Sequence, residues 1–260
     1  MQGSLPWCTL VFRGALTEFL PDDKSDARIA YPLDRKASIK DIIESLGPPH
    51  TEVGSIRTDG REVDFSHQPG AGEVLCIRSP EPPVNPLVGT RLEPDPLRAI
   101  RFVVDVNVGK TASLLRILGL DTAYHWKWRD REIAALAERE GRIVLTKDIG
   151  LLKRKKVRFG HFVRADHPEA QLREVLSFYG IKPPFTLFSR CLRCNTPLRR
   201  VAKQAIEHRL EPKTRKYFFN FSMCPDCERI YWAGSHQEKM LSRLLAAGII
   251  AAPETTERRH

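Results

Sequence analysis

Four cysteines in two Cys-x-x-Cys pairs, Cys191 with Cys194 and Cys224 with Cys227, constrain this chain more than any other feature. Each pair makes a knuckle that presents two thiolates, and tetrahedral Zn²⁺ takes four. The pairs are separated by positions 195 to 223, 29 residues, and together they predict one structural Zn²⁺ ion in a zinc ribbon over residues 187–240. Four sulfurs close the coordination shell and leave no place for a water, so neither pair is read as catalytic. A redox role is the weaker reading, because the pairs come as a matched set.

The N-terminus MQGSLPWCTL lacks the basic start and apolar run of a secretory signal, and no apolar stretch approaches the roughly 20 residues of a membrane helix. The expectation is a cytoplasmic protein with no membrane partner. There thiols stay reduced, so six cysteines do not imply a disulfide framework. Cys8 and Cys76 are read as buried thiols.

Charge is unevenly spread. Residues 1–90 hold 9 Lys+Arg against 13 Asp+Glu, and the remainder of the 42 and 32, 33 against 19, falls after them. The chain therefore passes from −4 to +14. A basic block of that size suits a polyanion, and nucleic acid is the expected partner through phosphate neutralisation.

Ser79 to Pro96 contains six prolines and no apolar period, which predicts a semi-rigid extended linker, residues 80–99, separating two domains. Before it, Cys8–Phe12 and Glu73–Ile77 are expected strands. Ser38–Leu46 is an expected helix with Ser38 as cap and Gly47 as stop, and Thr58-Asp59-Gly60 a turn. That order suits a small β-grasp domain over residues 1–79. The segment resembles ubiquitin-like sulfur carriers of the MoaD and ThiS type in IKDIIESLGPPHTEVG and in the turn before Val63-Asp64-Phe65. Those carriers work through a free C-terminal Gly-Gly, whereas Arg78-Ser79-Pro80 continues here. An adaptor role toward a protein partner is left.

After the linker, strands at Arg101–Asp105, Arg142–Thr146 and Val157–Val163 alternate with helices at Lys110–Leu118, Asp130–Glu140 and Pro168–Tyr179. The alternation predicts an α/β domain with a parallel sheet over residues 100–186. Ligands of such sheets bind beyond the carboxyl ends of the strands. Asp105 and Asp148 fall at that edge, and Asp130 starts a helix that runs alongside. Converging carboxylates supply the oxygen ligands that Mg²⁺ or Mn²⁺ needs for phosphodiester cleavage. Each has a plainer reading: Asp130 as an N-cap, Asp148 as a turn former, Asp105 as a strand-end carboxylate. Asn107 either bonds a metal-bound water or turns the chain. Asp166 is expected to cap the helix that starts at Pro168.

FVVD, LLRILGLDTAY, DREIAALAEREGRIVLTKD, QLREVL, SRCLRCN and MCPDCERIYWAGSH, in that order, resemble the Mut-seven-C RNase family across residues 101–240. That family is often preceded by this same ubiquitin-like segment. The resemblance implies a PIN-like fold, a ribonuclease (a hydrolase) acting on RNA phosphodiesters, and an acidic site at Asp105, Asp130 and Asp148 with Mg²⁺ or Mn²⁺. Asn107-Val108-Gly109-Lys110-Thr111-Ala112 departs from the family's Leu-Gly-Arg-Leu-Ala type stretch. A further acidic residue is expected on an intervening helix; only Asp121 stands nearby, and it reads as a turn residue. A non-catalytic RNA- or ribosome-binding factor with a degenerate site is the alternative.

Lys110, Lys147, Lys153, Arg154, Lys155 and Lys156 are expected to hold RNA near the acids. Arg199 and Arg200 open a basic insertion between the knuckles that also suits RNA, placed beside the acidic site; tRNA, rRNA and mRNA are not distinguished. Of Trp126 and Trp128, one is expected in the core and the other on a base. His236 is read as a hydrogen-bonded structural histidine. Residues 241–260 form a C-terminal helix and tail.

Overall fold

A computed structural model describes residues 6–21 and 27–251; the last nine residues of the expected tail lie outside that range. The N-terminal part is built on strands β1 (Trp7–Arg13), β2 (Arg28–Pro32), β3 (Ser55–Thr58), β4 (Arg61–Glu62) and β5 (Val74–Arg78), with helix α1 (Ile39–Ser45) between β2 and β3. Their order in the sheet is β2-β1-β5-β3-β4, with β1 and β5 parallel. This is the β-grasp arrangement. Period-two alternation puts Leu10, Phe12, Leu75 and Ile77 on the face that meets Ile39, Ile42 and Ile43 of α1. Ser38 caps α1 as expected, its Oγ accepting from Asp41 N at 3.2 Å. Asp59 and Gly60, both at positive φ, turn β3 into β4. Cys8 is buried, but Cys76 lies on the opposite, outer face of β5 and is half-buried. Its neighbours Leu75 and Ile77 take the core side.

The second part holds β6 (Phe102–Val104), α2 (Gly109–Ile117), β7 (Thr122–Ala123), α3 (Asp130–Glu140), β8 (Ile143–Thr146), α4 (Ile149–Leu152), β9 (Gly160–Phe162) and α5 (Pro168–Phe178). The sheet β7-β6-β8-β9 is parallel throughout. Two apolar layers cover it. α2 and α5 pack on one face around Phe102, Val104 and Leu145, and α3 on the other around Val103 and Val144. Strands buried on both faces read as continuous apolar runs, as FVV and IVLT do.

α3 begins at Asp130, but the cap position belongs to Arg129, whose backbone N–H donates to the Glu132 side chain at 2.8 Å. The strand expected at Val157–Val163 shortens to three residues, since Val157 closes a turn against Arg154.

The ribbon follows: β10 (Arg199–Val201), α6 (Lys203–Ile206), α7 (Pro212–Tyr217), β11 (Phe221–Met223) and β12 (Ile230–Tyr231), the strands forming one antiparallel sheet. α8 (Ser235–Ala246) then returns Leu244 to the α/β core.

The proline-rich segment is not a free spacer. Val84 N donates to Phe178 O at 2.7 Å and Leu97 packs on the α/β core, while Leu92 is buried with the β-grasp core. Correspondingly, the two domains are docked rather than held apart. His50 Nε2 meets Val157 O at 2.8 Å, Lys153 Nζ donates to Glu44 O at 2.6 Å, and Phe162 N donates to Glu52 Oε1 at 2.8 Å. These contacts cover β9, the outer strand of the parallel sheet, and an uncovered edge strand is a template for unwanted pairing.

Candidate functional site

At the carboxyl edge of the sheet, β6 delivers Asp105 and β8 delivers Thr146, with Asp148 two residues on. Asp105 is buried, and its oxygens accept from Val106 N at 2.6 Å, Asn107 Nδ2 at 2.7 Å and Thr146 Oγ1 at 2.7 Å. The same Thr146 hydroxyl oxygen accepts from Asp148 N at 2.9 Å. One hydroxyl therefore couples the two acidic positions. Asn107 spans the gap, donating also to Thr146 Oγ1 at 3.2 Å and accepting from Lys147 N at 3.1 Å. Thr146 escapes sequence reading because it looks like one more β-branched strand residue.

Asp148 caps α4, its Oδ1 accepting from Gly150 N at 2.7 Å and Leu151 N at 3.3 Å. Asp130, the first residue of α3, pairs with Arg154 at 3.4 Å. Among the described residues, the four cysteines are the only group of three or more metal-ligating side chains whose ligand atoms all lie within 4.8 Å of one another. The structure thus links the Asp105 carboxylate to the Asp148 backbone through Thr146, and Asp105, Asp130 and Asp148 do not form such a group.

The basic residues divide. Lys110 and Lys155 are exposed. Lys147 pairs with Asp166 at 2.6 Å, and the lysine holds that carboxyl below the usual range. Asp166 consequently does not cap α5, whose cap position is His167. Arg154 is taken by Asp130, and Lys156 pairs with Glu138 at 2.9 Å. Lys153 is directed into the domain interface, where burial lowers the pKa of its ammonium. Trp128 packs on the α3 side of the core, while Trp126 is exposed with Lys127 Nζ 4.8 Å from its ring centroid.

In the ribbon the two knuckles repeat one backbone pattern. Asn195 N donates to Cys191 O and Glu228 N to Cys224 O, each at 2.9 Å; Cys191 N donates to Thr196 O and Cys224 N to Arg229 O. Asn195 and Glu228 both take positive φ, 70° and 55°. Two such turns aim four sulfurs at one point, with Cys191 Sγ and Cys227 Sγ 3.6 Å apart. The set can hold a metal ion. Burial pushes the Cys191 thiol up, but the Tyr231 hydroxyl, 3.1 Å away, and neighbouring backbone N–H groups outweigh it and bring it down to about 7. Cys194, crowded by the other sulfurs as well as desolvated, is pushed up to about 12. Four thiols so close cannot all ionise unaided, and a bound cation would reconcile them.

The first knuckle is clamped to the α/β domain by residues that the motif does not reveal. Arg116, buried in α2, donates to Thr122 O at 2.8 Å and to Leu192 O at 2.7 Å. Asp121 accepts from Arg142 Nη1 at 2.6 Å and from Asn195 Nδ2 at 2.7 Å. Asp121 is therefore a structural tie rather than a turn residue or a further acidic ligand. It precedes β7, level with the start of β6, whereas Asp105 follows the end of β6. The first knuckle accordingly attaches at the opposite edge of the sheet from the acids, not beside them. Replacing Arg116 with Met should leave the Thr122 and Leu192 carbonyls, and that of Arg193 at 3.1 Å, without this donor and cost roughly 2–3 kcal/mol in denaturant unfolding; an unchanged midpoint would contradict the clamp. His236, expected as a bonded structural histidine, is exposed at the start of α8.

Fold and site define a PIN-like α/β protein that carries a four-cysteine ribbon and an N-terminal ubiquitin-like domain. Residues 100–244 match the Mut7-C RNAse domain and residues 6–84 the Mut7-C ubiquitin model. The chain belongs to the Mut7-C RNAse domain family. No curated protein and no solved structure matches it. Among the described residues, no helix is long and apolar enough to cross a membrane.

Proposed function

We propose that the protein is a metal-dependent ribonuclease that hydrolyses RNA phosphodiester bonds at the edge formed by Asp105, Thr146 and Asp148. The observation that carries this reading is the single Thr146 hydroxyl that donates to the Asp105 carboxylate and accepts from the Asp148 backbone N–H, fixing both acidic positions beyond the carboxyl ends of a parallel sheet, in a chain of a ribonuclease-domain family.

The donor set fits a hard cation. A carboxylate has about four acceptor positions, and Asp105 uses three of its own on protein donors while Asp148 uses two, both on Oδ1. Asp105 keeps one acceptor position, on Oδ1, and Asp148 keeps its Oδ2 to offer, and Mg²⁺ or Mn²⁺ is commonly held by one or two carboxylates with several waters. When bound, such an ion lowers the pKa of a water and offsets charge on the phosphate. Asp105, fixed by three hydrogen bonds, sets the position of the site. Asn107 restrains both the Asp105 carboxylate and the Lys147 backbone. Lys110 and Lys155 meet the phosphodiester backbone, and a phosphate that attracts Arg154 frees Asp130 to join the other acids. The ribbon cysteines hold Zn²⁺, and their reduced state suits the cytoplasm.

Incubating the purified protein with mixed RNAs and Mn²⁺, beside Asp105→Asn, tests the reading. Cleavage by the parent should fall at least a hundredfold in the variant, the scale typical of removing a group that acts on the transition state. Equal cleavage by both would refute it. RNA binding without cleavage by either would transfer the reading to a non-catalytic RNA-binding factor.

A further inference from the structure

The ribbon bears an aromatic face that the cleavage edge does not use. Tyr217, Phe219 and Trp232 are 63%, 71% and 37% exposed, although large rings carry the greatest gain on burial. Cations accompany two of them: Lys203 Nζ lies 4.3 Å from the Phe219 centroid and Lys216 Nζ 5.3 Å from that of Tyr217.

Trp232 stands between two open cavities of about 280 and 300 Å³ and lines both. Phe218 and Phe221 brace its ring at centroid distances of 6.5 and 6.4 Å. Gly234 allows the backbone to pass against it, since a Cβ there would fall 2.8 Å from Trp232 Nε1. Arg200 is on the rim of the larger cavity, which Phe219 also lines. From Arg199 to Tyr217 the chain has seven Lys+Arg (199, 200, 203, 209, 213, 215, 216) against two Glu (207, 211).

We infer that this face is a stacking platform for unpaired bases of single-stranded RNA, with Trp232 and Phe219 offering ring faces and Arg200 and Lys203 holding adjacent phosphates. The inference deepens the ribonuclease reading and rests on RNA being the substrate. An apolar peptide would not need the surrounding excess of positive charge. A duplex keeps its base faces stacked inside and has none to present to an open ring. The knuckle anchored at the far edge of the sheet separates this grip from Asp105 and Asp148, so a strand would be held at one place and cut at another.

The test uses the full-length, zinc-loaded protein carrying Asp105→Asn, so that the probe survives, and a labelled uridine oligomer of about 12 nucleotides, within the usual span of such grooves. The single strand should bind more tightly than a duplex of equal length. Trp232→Ala and Phe219→Ala should each weaken it roughly tenfold, the order expected for losing one stacked base, and Trp232→Phe should restore most of the loss. The salt dependence should stay unchanged in the aromatic variants and fall by about one phosphate contact in Lys203→Gln. Zinc content equal to the parent's verifies that the ribbon is folded, and Phe219, the most exposed ring, is the arm least able to disturb it. Parental affinity in both alanine variants, or a duplex bound as tightly, would overturn the platform. Cleavage is assayed separately with Asp105 intact. Binding that depends on Trp232 without any cleavage overturns the ribonuclease reading alone, and cleavage with binding indifferent to both rings overturns the platform alone.

Discussion

Replacing Cys194 with serine should remove stoichiometric zinc from the protein and unfold the ribbon. The expected effect is the largest of any single substitution here. Binding free energies for structural Zn²⁺ are roughly 10–16 kcal/mol, and because the site forms only on folding, that energy is folding energy. The ribbon has little else. Its three strands span three, three and two residues, and α6 and α7 are four and six residues long, too short to be stable alone. Its buried apolar residues are few: Ile206 and Phe221 beside Cys191 and Cys224. Glu228 at positive φ costs about 1–2 kcal/mol, while Asn195 takes that region at less cost, and ion binding would offset this strain. Metal analysis on the purified variant, with limited proteolysis mapped across residues 191–231, checks both parts. Retained zinc at one equivalent would refute the four-cysteine site. Since Arg116 and Asp121 hold the first knuckle from outside the ribbon, proteolysis should begin around the second.

What the sequence made legible was local. Ser38 caps α1, α3 runs from Asp130 to Glu140, and Gly141 ends it at positive φ, because caps, apolar period and glycine stops are decided within a few residues. The acidic edge was also legible as strand ends, since FVV and IVLT are runs that only a doubly covered strand explains. Polar partnership across the chain was not. Asp121 needs Arg142 and Asn195, Lys153 needs Glu44, and Asp130 is held by Arg154; a charged residue looks alike in sequence whether its partner is water or another chain segment. β7, with two residues, carries no period at all. The linker misled for a related reason: proline fixes φ and removes donors, but nothing in the composition says that Val84 and Leu97 find a core to bury in.

The domain interface yields the other large effect. Glu52, 2% exposed, accepts from Phe162 N and contacts Arg164 Nη2 at 3.2 Å and His161 Nδ1 at 3.2 Å, the last off the hydrogen-bond line. His161 Nε2 meets Glu174 Oε1 at 2.9 Å, and Phe178 stacks on the imidazole at 4.0 Å. Burial alone would push the imidazole down, yet Glu174 and Glu52 outweigh it and hold its pKa above the usual 6.5. For Glu52 and Glu174 burial would push up, and His161 together with backbone N–H groups prevails and holds both below 4.5. The raised histidine contributes stability that is fully present below its unfolded value and is lost as pH rises through the folded one. The depressed carboxylates contribute above their unfolded values and lose it as pH falls through the folded ones. Docking of the ubiquitin-like domain should therefore be firmest between about pH 4.5 and 6.5 and weaken on either side. Glu52→Ala removes one member of a buried charge set and should cost about 3–5 kcal/mol, flattening the alkaline decline as well, because the histidine then has only the partly exposed Glu174 to hold its proton. Urea unfolding from pH 4 to 9 on parent and variant checks this. A parent whose stability is flat across that range, or a variant that keeps the parent's alkaline slope, would show that the interface is held by its apolar contacts and backbone hydrogen bonds instead.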